Sequence, residues 1–219
     1  AQSAIVFAVD YLPHPEVSGN ELLPQALKIS AYARGADYHY WLKARLTKVI
    51  YELKKLFPNE EFASFTDSAP VLERDLAVRA GLGWVGKNTC LISRKHGSFS
   101  LLAEIYTTLT LPQPEVEVPD HCGTCTRCID ACPTGALVDE RVLDARRCIS
   151  YVTIESRELP SPELREKTEG WFFGCDICQQ VCPWNIKIHG RASEEAQREQ
   201  VIAELREILV SSGDRKSTR

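Results

Sequence analysis

The sequence predicts an α+β protein built from an α/β domain over residues 1–119, a cysteine-rich domain over 120–190 and a short helical tail over 191–219. Three observations carry this division. In the first half, short apolar β-branched runs alternate with one long amphipathic stretch. Eight of the nine cysteines fall between Cys122 and Cys182. A proline-rich stretch, with Pro112, Pro114 and Pro119, separates the two.

Residues 4–9 form an apolar, β-branched run that reads as a buried strand, and residues 10–24 read as a proline-containing loop. From Leu27 to Leu56 the pattern is helical, with Asp37 placed to cap a helix from Tyr38 onward. Trp41, Leu42, Leu46, Val49, Ile50 and Leu53 form its apolar stripe, and Lys43, Arg45, Lys48, Lys54 and Lys55 lie on the other face. Those charges read either as a solvated surface or as a strip facing phosphates. Pro58 ends the helix. Residues 61–66 read as a strand, Asp67 to Pro70 as a turn, and Val71 to Ala80 as a second helix. The loop from Gly81 to Asn88 spells GxGxxG, but it follows a helix instead of opening one after a strand, which excludes a dinucleotide site. Residues 89–93 and 99–109 read as strands joined by a turn at His96-Gly97. After His189 the tail is charged and helix-forming, with Val201, Leu205, Ile208 and Leu209 on one face.

Lys plus Arg number 26 and Asp plus Glu 30, a formal charge of −4, so this is not a globally basic nucleic-acid protein; RNA would need a local patch. The hydrophobic fraction of 44% and charged fraction of 26% are those of a globular chain. No apolar run is long enough to span a membrane and no secretion signal opens the sequence, so a cytoplasmic protein with reduced thiols is expected. The chain begins Ala1-Gln2-Ser3 and contains no methionine, from which a start further upstream or a trimmed chain is expected.

Cys122, Cys125, Cys128 and Cys132-Pro133 have the C-x2-C-x2-C-x3-C-P spacing of bacterial ferredoxins. Two-residue spacers let three thiolates curl round one corner of a cubane. The fourth cysteine, expected to open a helix and point away, ligates the other cluster. A second run, Cys175, Cys178 and Cys182-Pro183, is one thiolate short, and Cys148 supplies it. The distal cysteines therefore swap: Cys122, Cys125, Cys128 and Cys182 hold one 4Fe–4S cluster, and Cys132, Cys148, Cys175 and Cys178 the other. Structural zinc and disulfides are the alternatives for such spacing. Cys90 stands outside both runs and reads as a small buried hydrophobe.

The stretches Ala36-Asp37-Tyr38-His39, Asp67-Ser68-Ala69-Pro70-Val71-Leu72-Glu73-Arg74, Gly81 to Asn88 and Gly174 to Asn185 together resemble the epoxyqueuosine reductase family, over roughly residues 4 to 185. The resemblance implies an oxidoreductase that reduces the epoxide of epoxyqueuosine at the tRNA wobble position to queuosine. It implies an α/β domain that binds base-off cobalamin and is related to that of reductive dehalogenases, followed by a ferredoxin-like two-cluster domain. Asp67 aligns with the family's proton donor, a role that needs a carboxyl pKa raised by burial; without the resemblance it reads as a turn residue bonding nearby backbone. Tyr38, His39, Lys87, Asn88, Ser150, Cys175 and Asp176 are implied contacts of the cobalamin or the modified nucleotide. For His39 and Lys87 the plain alternatives are a satisfied histidine at a helix start and a solvated loop charge, and Glu73 and Arg74 read equally as a local ion pair. The partners implied are tRNA and an electron donor such as flavodoxin or ferredoxin, with the enzyme a monomer off the membrane. Candidate RNA contacts are the Lys43–Lys55 face, the arginines Arg141, Arg146, Arg147, Arg157 and Arg165, and Tyr151 or Trp184 for base stacking. Family members carry residues before the first strand and a longer helical extension that this sequence lacks. Two rival readings are a ferredoxin-type electron-transfer module without cobalamin, and another cobalamin-dependent reductase such as a dehalogenase.

Overall fold

In a computed structural model, which describes residues 1–11, 27–67, 69–112 and 118–189, the first apolar run becomes strand β1 (Ser3–Asp10). It is not a buried central strand. It forms one edge of a three-stranded antiparallel sheet completed by residues 62–65 and 100–107, and most of its side chains are half-buried. The expected helical pattern from Leu27 gives way to strand β2 (Lys28–Ile29) and a 3-10 turn over Ala31–Ala33. Long-range pairing explains the difference, because β2 runs parallel to residues 171–173 of the second half, a partner that local pattern does not reveal.

Helix α1 (Tyr38–Leu56) starts where Asp37 caps it: the Asp37 side chain accepts from the His39 amide at 3.0 Å. The helix stops short of Pro58, which disfavours helical backbone at Phe57. Its buried Leu42 and Leu46 meet Ala103 and Ile105, forming the first core. Strand β3 (Phe62–Phe65) and helix α2 (Glu73–Arg79) follow. Strands β4 (Trp84–Val85) and β5 (Leu91–Ile92) make a small hairpin around the glycine-rich loop. A Cβ on Gly83 would lie 2.2 Å from the Ile92 carbonyl oxygen, so this glycine serves close strand approach, not phosphate binding. Strand β6 (Ser100–Thr107) is the centre of the main sheet, Phe7 of β1 facing Ala103 and Phe65 of β3 facing Glu104.

The second half is a chain of short elements: α3 (Arg127–Asp130), β7 (Leu137–Asp139), β8 (Val142–Leu143), α4 (Ile149–Ile154), α5 (Pro162–Glu166), β9 (Trp171–Phe173), α6 (Ile177–Gln180) and α7 (Pro183–His189). Cys132 does not open a helix. It follows α3 after the C-cap Ala131, and its sulfur accepts from the Ala136 amide at 3.3 Å. A second core of Trp84, Ile92 and Cys182, with Val118, Cys122 and Trp184 against it, joins the two halves. β2 pairs with β9 across the same joint. Asn185, 1% exposed, completes it: its side-chain oxygen accepts from the Ser98 amide at 2.7 Å and its Nδ2 donates to the Gln179 carbonyl at 2.7 Å. Gly97 has φ +73°, and a Cβ there would lie 2.1 Å from the Asn185 oxygen. The domain boundary expected at 119–120 adjoins residues 113–117, and the helical tail spans 191–219; both stretches, like most of the 10–24 loop, lie outside the described residues.

Candidate functional site

Cys122, Cys125, Cys128 and Cys182 ring a cavity of about 340 Å³, shared with Lys87, Asn88, His121 and Trp184. Trp84 donates its indole N–H to the Cys122 sulfur at 3.5 Å, and the Trp84, His121 and Trp184 rings pack edge-on or tilted around it. Cys132, Cys148, Cys175 and Cys178 gather separately. Burial, with Cys148, Asp176 and Cys132 adding to it, pushes the Cys175 thiol up to about 12, and Cys178 is raised by its hydrogen bond with Cys90, by burial and by Cys90, Cys175 and Cys148 nearby. Cys90 is thus more than a small hydrophobe: it meets a member of this group. Crowded, desolvated thiols are poor company for one another until a cation holds them as thiolates, so both donor sets fit a metal centre. Among the described residues no three His, Cys, Asp or Glu side chains close on one ion. The first thiol set surrounds a volume instead, which suits a multi-iron cubane over a lone zinc.

A far larger cavity, about 1230 Å³, opens beside these groups. Tyr11, Tyr32, Tyr38, Asp67, Arg141 and Gln179 are among its walls, together with Cys90 and Trp84. It exceeds the roughly 300–1,000 Å³ of ordinary small-molecule pockets, a volume that admits a bulky ligand. Asp67 sits at its wall with φ 51°, a left-handed conformation that Asp tolerates better than most residues. Tyr38 donates its hydroxyl to Asp67 Oδ2, and the Asp67 amide donates to the Glu73 carboxylate at 2.7 Å. Burial first, then the bond to Asp67, raises the Tyr38 hydroxyl, which keeps it a donor. The Tyr38 ring stacks on His39 at 4.1 Å, and His39 Nε2 lies 3.8 Å from Asp67 Oδ2 while its Nδ1 meets Asp37 at 2.7 Å. The Asp67 side chain is 64% exposed, so among the described residues its apolar neighbours do not bury it as expected.

The structure therefore brings Tyr38, His39 and Asp67 together and places the other expected contacts elsewhere. Lys87 lines the thiol cavity, its ammonium 2.6 Å from Glu140, a bond that raises its pKa. Asn88 lies there too and donates to the Cys178 carbonyl at 3.4 Å. Ser150 occupies the first turn of α4, two residues after Cys148. Asp176 is buried in the joint, where its carboxylate accepts from Ser30 Oγ and, at 2.7 Å, from the Ala31 amide; burial raises its pKa and those two bonds oppose the rise. Glu73 and Arg74 serve different partners, since Arg74 donates to the Thr89 carbonyl. Trp184 packs on Trp84 with centroids 5.3 Å apart, against the second core.

Sequence reasoning missed Tyr11, Tyr32 and Arg141. Tyr11, Tyr32 and Tyr38 form an edge-to-face chain, 6.4 and 5.9 Å between centroids, along the cavity wall. Tyr11 and Tyr32 are isolated tyrosines in the sequence, without periodicity or motif. Arg141 has φ 61° in the β7–β8 turn and donates to the Val85 carbonyl at 3.0 Å and to Asp120. It was singled out as a charge, not as a cavity residue.

Comparison with known proteins follows the same lines. Residues 1–68 match the family profile described as Epoxyqueuosine reductase QueG, DUF1730, and residues 121–185 match the 4Fe-4S double cluster binding domain. The epoxyqueuosine reductase of Cyclobacterium marinum is 45% identical over 185 residues, covering 84% of this chain and 59% of that protein. The structure of epoxyqueuosine reductase from Streptococcus thermophilus superposes with a TM-score of 0.70 at 36% identity, covering 83% of this chain and 49% of that one. A crystal structure of epoxyqueuosine reductase with an epoxyqueuosine-modified tRNA-Tyr stem loop gives a TM-score of 0.66 at 34% identity over 83% and 48% of the two chains. The chain thus spans about three-fifths of the length of the curated relative and half that of the solved ones. Over the stretch they share, in sequence, fold and cysteine pattern, the chain belongs to the epoxyqueuosine reductase family.

Proposed function

We propose that this chain carries the reductive centre of a cobalamin-dependent epoxyqueuosine reductase, acting on tRNA whose wobble base bears the epoxide. The observation that carries the reading is the Tyr38–Asp67 pair at the wall of a corrin-sized cavity whose wall also holds Trp84, bonded to Cys122, and Cys90, bonded to Cys178. Converting the epoxide to an alkene and water takes two electrons and two protons. Two 4Fe–4S clusters, one on Cys122, Cys125, Cys128 and Cys182 and the other on Cys132, Cys148, Cys175 and Cys178, would supply electrons singly, and cobalamin held in the large cavity would supply the reducing chemistry for the epoxide.

The chain's own residues do the rest. Asp67 delivers a proton to the departing oxygen. Tyr38 occupies Asp67 Oδ2, leaving Oδ1 to carry that proton, and Glu73 pins the Asp67 backbone so that the carboxyl points into the cavity. The tyrosine-lined wall and a bound cofactor would together exclude water from Asp67. The exposed face of α1, with Lys43, Lys48 and Lys54, runs away from His39 and offers cations to the RNA backbone. The relation to the reductive dehalogenase cofactor domain, the monomeric state, the cytoplasmic setting and a flavodoxin- or ferredoxin-type electron donor belong to the same reading. Among the described residues no helix is long and apolar enough to cross a membrane.

The test is anaerobic reconstitution with iron, sulfide and cobalamin, followed by single-turnover assay on an epoxyqueuosine tRNA stem loop. About eight iron atoms and one cobalt per chain, with conversion to queuosine, are expected. Full iron loading with no cobalt uptake favours the electron-transfer module instead.

A further inference from the structure

The two thiol groups sit in opposite electrostatic surroundings. Three cations, Lys87, Arg127 and Lys187, line the cavity of the first group. Arg127 and Lys187 are exposed, so water and salt screen them. The Lys87 side chain is only 4% exposed, and its ammonium acts on Cys122. Glu140, itself 49% exposed, balances it from the outer side.

Beside the second group the buried charge has the other sign. Asp176 is 1% exposed, follows Cys175 in the chain and acts on its sulfur. Its carboxylate accepts from Ser30 Oγ and from the Ala31 amide, bonds that favour the ionised form. Hydrogen bonds to sulfur occur in both groups: Trp84 donates to Cys122 at 3.5 Å, while Ala136 donates to Cys132 at 3.3 Å, Thr134 Oγ1 lies 3.5 Å from the Cys132 sulfur and Cys90 bonds Cys178. The buried charges do separate them.

Resting on the two-cluster reading, we propose that Lys87 and Asp176 split the reduction potentials of the two clusters, the cluster of Cys122, Cys125, Cys128 and Cys182 being the higher and that of Cys132, Cys148, Cys175 and Cys178 the lower. Reduction adds negative charge. A desolvated cation beside the sulfurs stabilises the reduced cluster and a desolvated anion destabilises it. The arrangement gives the stronger reductant to the group whose Cys178 meets Cys90 on the wall of the large cavity. An arriving electron rests at the first group and is most reactive at the second.

The experiment is a redox titration of the reconstituted chain, both clusters followed by EPR. Two separate midpoints are expected. Lys87→Gln should lower the higher one and Asp176→Asn raise the lower one, each by about a tenfold change in the reduced-to-oxidised ratio at fixed potential, or about 59 mV for one electron. Glu140→Gln removes the balancing charge at an exposed position and should raise the higher midpoint; it keeps the test decisive if Asp176→Asn impairs cluster uptake. Coincident midpoints in the parent chain, or a higher midpoint unmoved by both Lys87→Gln and Glu140→Gln, overturn the proposal. Iron near four atoms per chain overturns the two-cluster reading itself, which distinguishes the two failures.

Discussion

Asp67 combines a left-handed backbone, a hydroxyl donor on one oxygen and a carboxylate accepting from its own amide. Such a conformation persists only where neighbours impose it, and here Glu73 and Tyr38 do. Asn would keep the shape and the left-handed tolerance but has no acidic proton. Asp67→Asn is therefore expected to retain iron and cobalamin and to lose about 10²- to 10⁴-fold in single-turnover reduction of the tRNA; an unchanged rate removes Asp67 from the proton path. Glu104 presents a different problem at the same scale. It is fully buried on β6, neither carboxylate oxygen has a partner among the described residues, and burial, with Glu73 adding to it, raises its pKa to about 7. The folded protein keeps this proton where the unfolded chain has released it. Stability contributed by the protonated form is complete at acid pH, declines from the ordinary glutamate range upward and is gone above about 7. The span is on the order of 3 kcal/mol. Glu104→Gln should flatten that decline, so that the gap in unfolding free energy between pH 5 and pH 8 narrows in denaturant titrations. An undiminished gap would place the titration elsewhere.

At the scale of elements, α1 does two jobs. Its buried Leu42 and Leu46 anchor it to the sheet, and its capped first turn presents Tyr38 and His39 to Asp67. Its exposed lysines take no part in that packing. The double variant Lys43→Ala/Lys48→Ala should leave thermal unfolding unchanged while lowering the salt slope of tRNA binding by about 1.5, since each lost phosphate contact removes roughly 0.7–0.9. An unchanged slope moves the RNA to another face. This helix was legible in the sequence because its signals are local: Asp37 as cap, a 3.6-residue stripe and Pro58 beyond the end. The turn at His96-Gly97 and the second helix were legible for the same reason, whereas the stretch read as a loop over Gly81–Asn88 contains strand β4, which exists only by pairing with β5. The cysteine spacing was legible too, but the position of Cys132 relative to α3 was not, because a four-residue helix carries too little periodicity to fix its ends.

Across the whole molecule, what the sequence concealed is what depends on long-range convergence. β2 exists because β9 pairs with it. The wall of Tyr11, Tyr32 and Tyr38 exists because β1, the 28–33 segment and α1 meet. Asn185 matters because Ser98 and Gly97 lie 87 and 88 positions away in the chain. The same dependence predicts how the molecule responds to loss of its metal. The first core, Leu42, Leu46, Ala103 and Ile105, contains no thiol, whereas the second is built from Trp84, Ile92 and Cys182 with Cys122 against it. A structural metal centre contributes folding free energy directly, so stripping iron withdraws support from the second core and from the joint that Asn185 and Asp176 close. Hydrogen exchange of the chelated protein should then show the amides of β4, β5 and α7 losing protection while those of β6 keep theirs, because regions of low local stability open first. Uniform loss across both cores would mean that the sheet has no independent stability; no loss at all would mean that the thiols do not hold the joint.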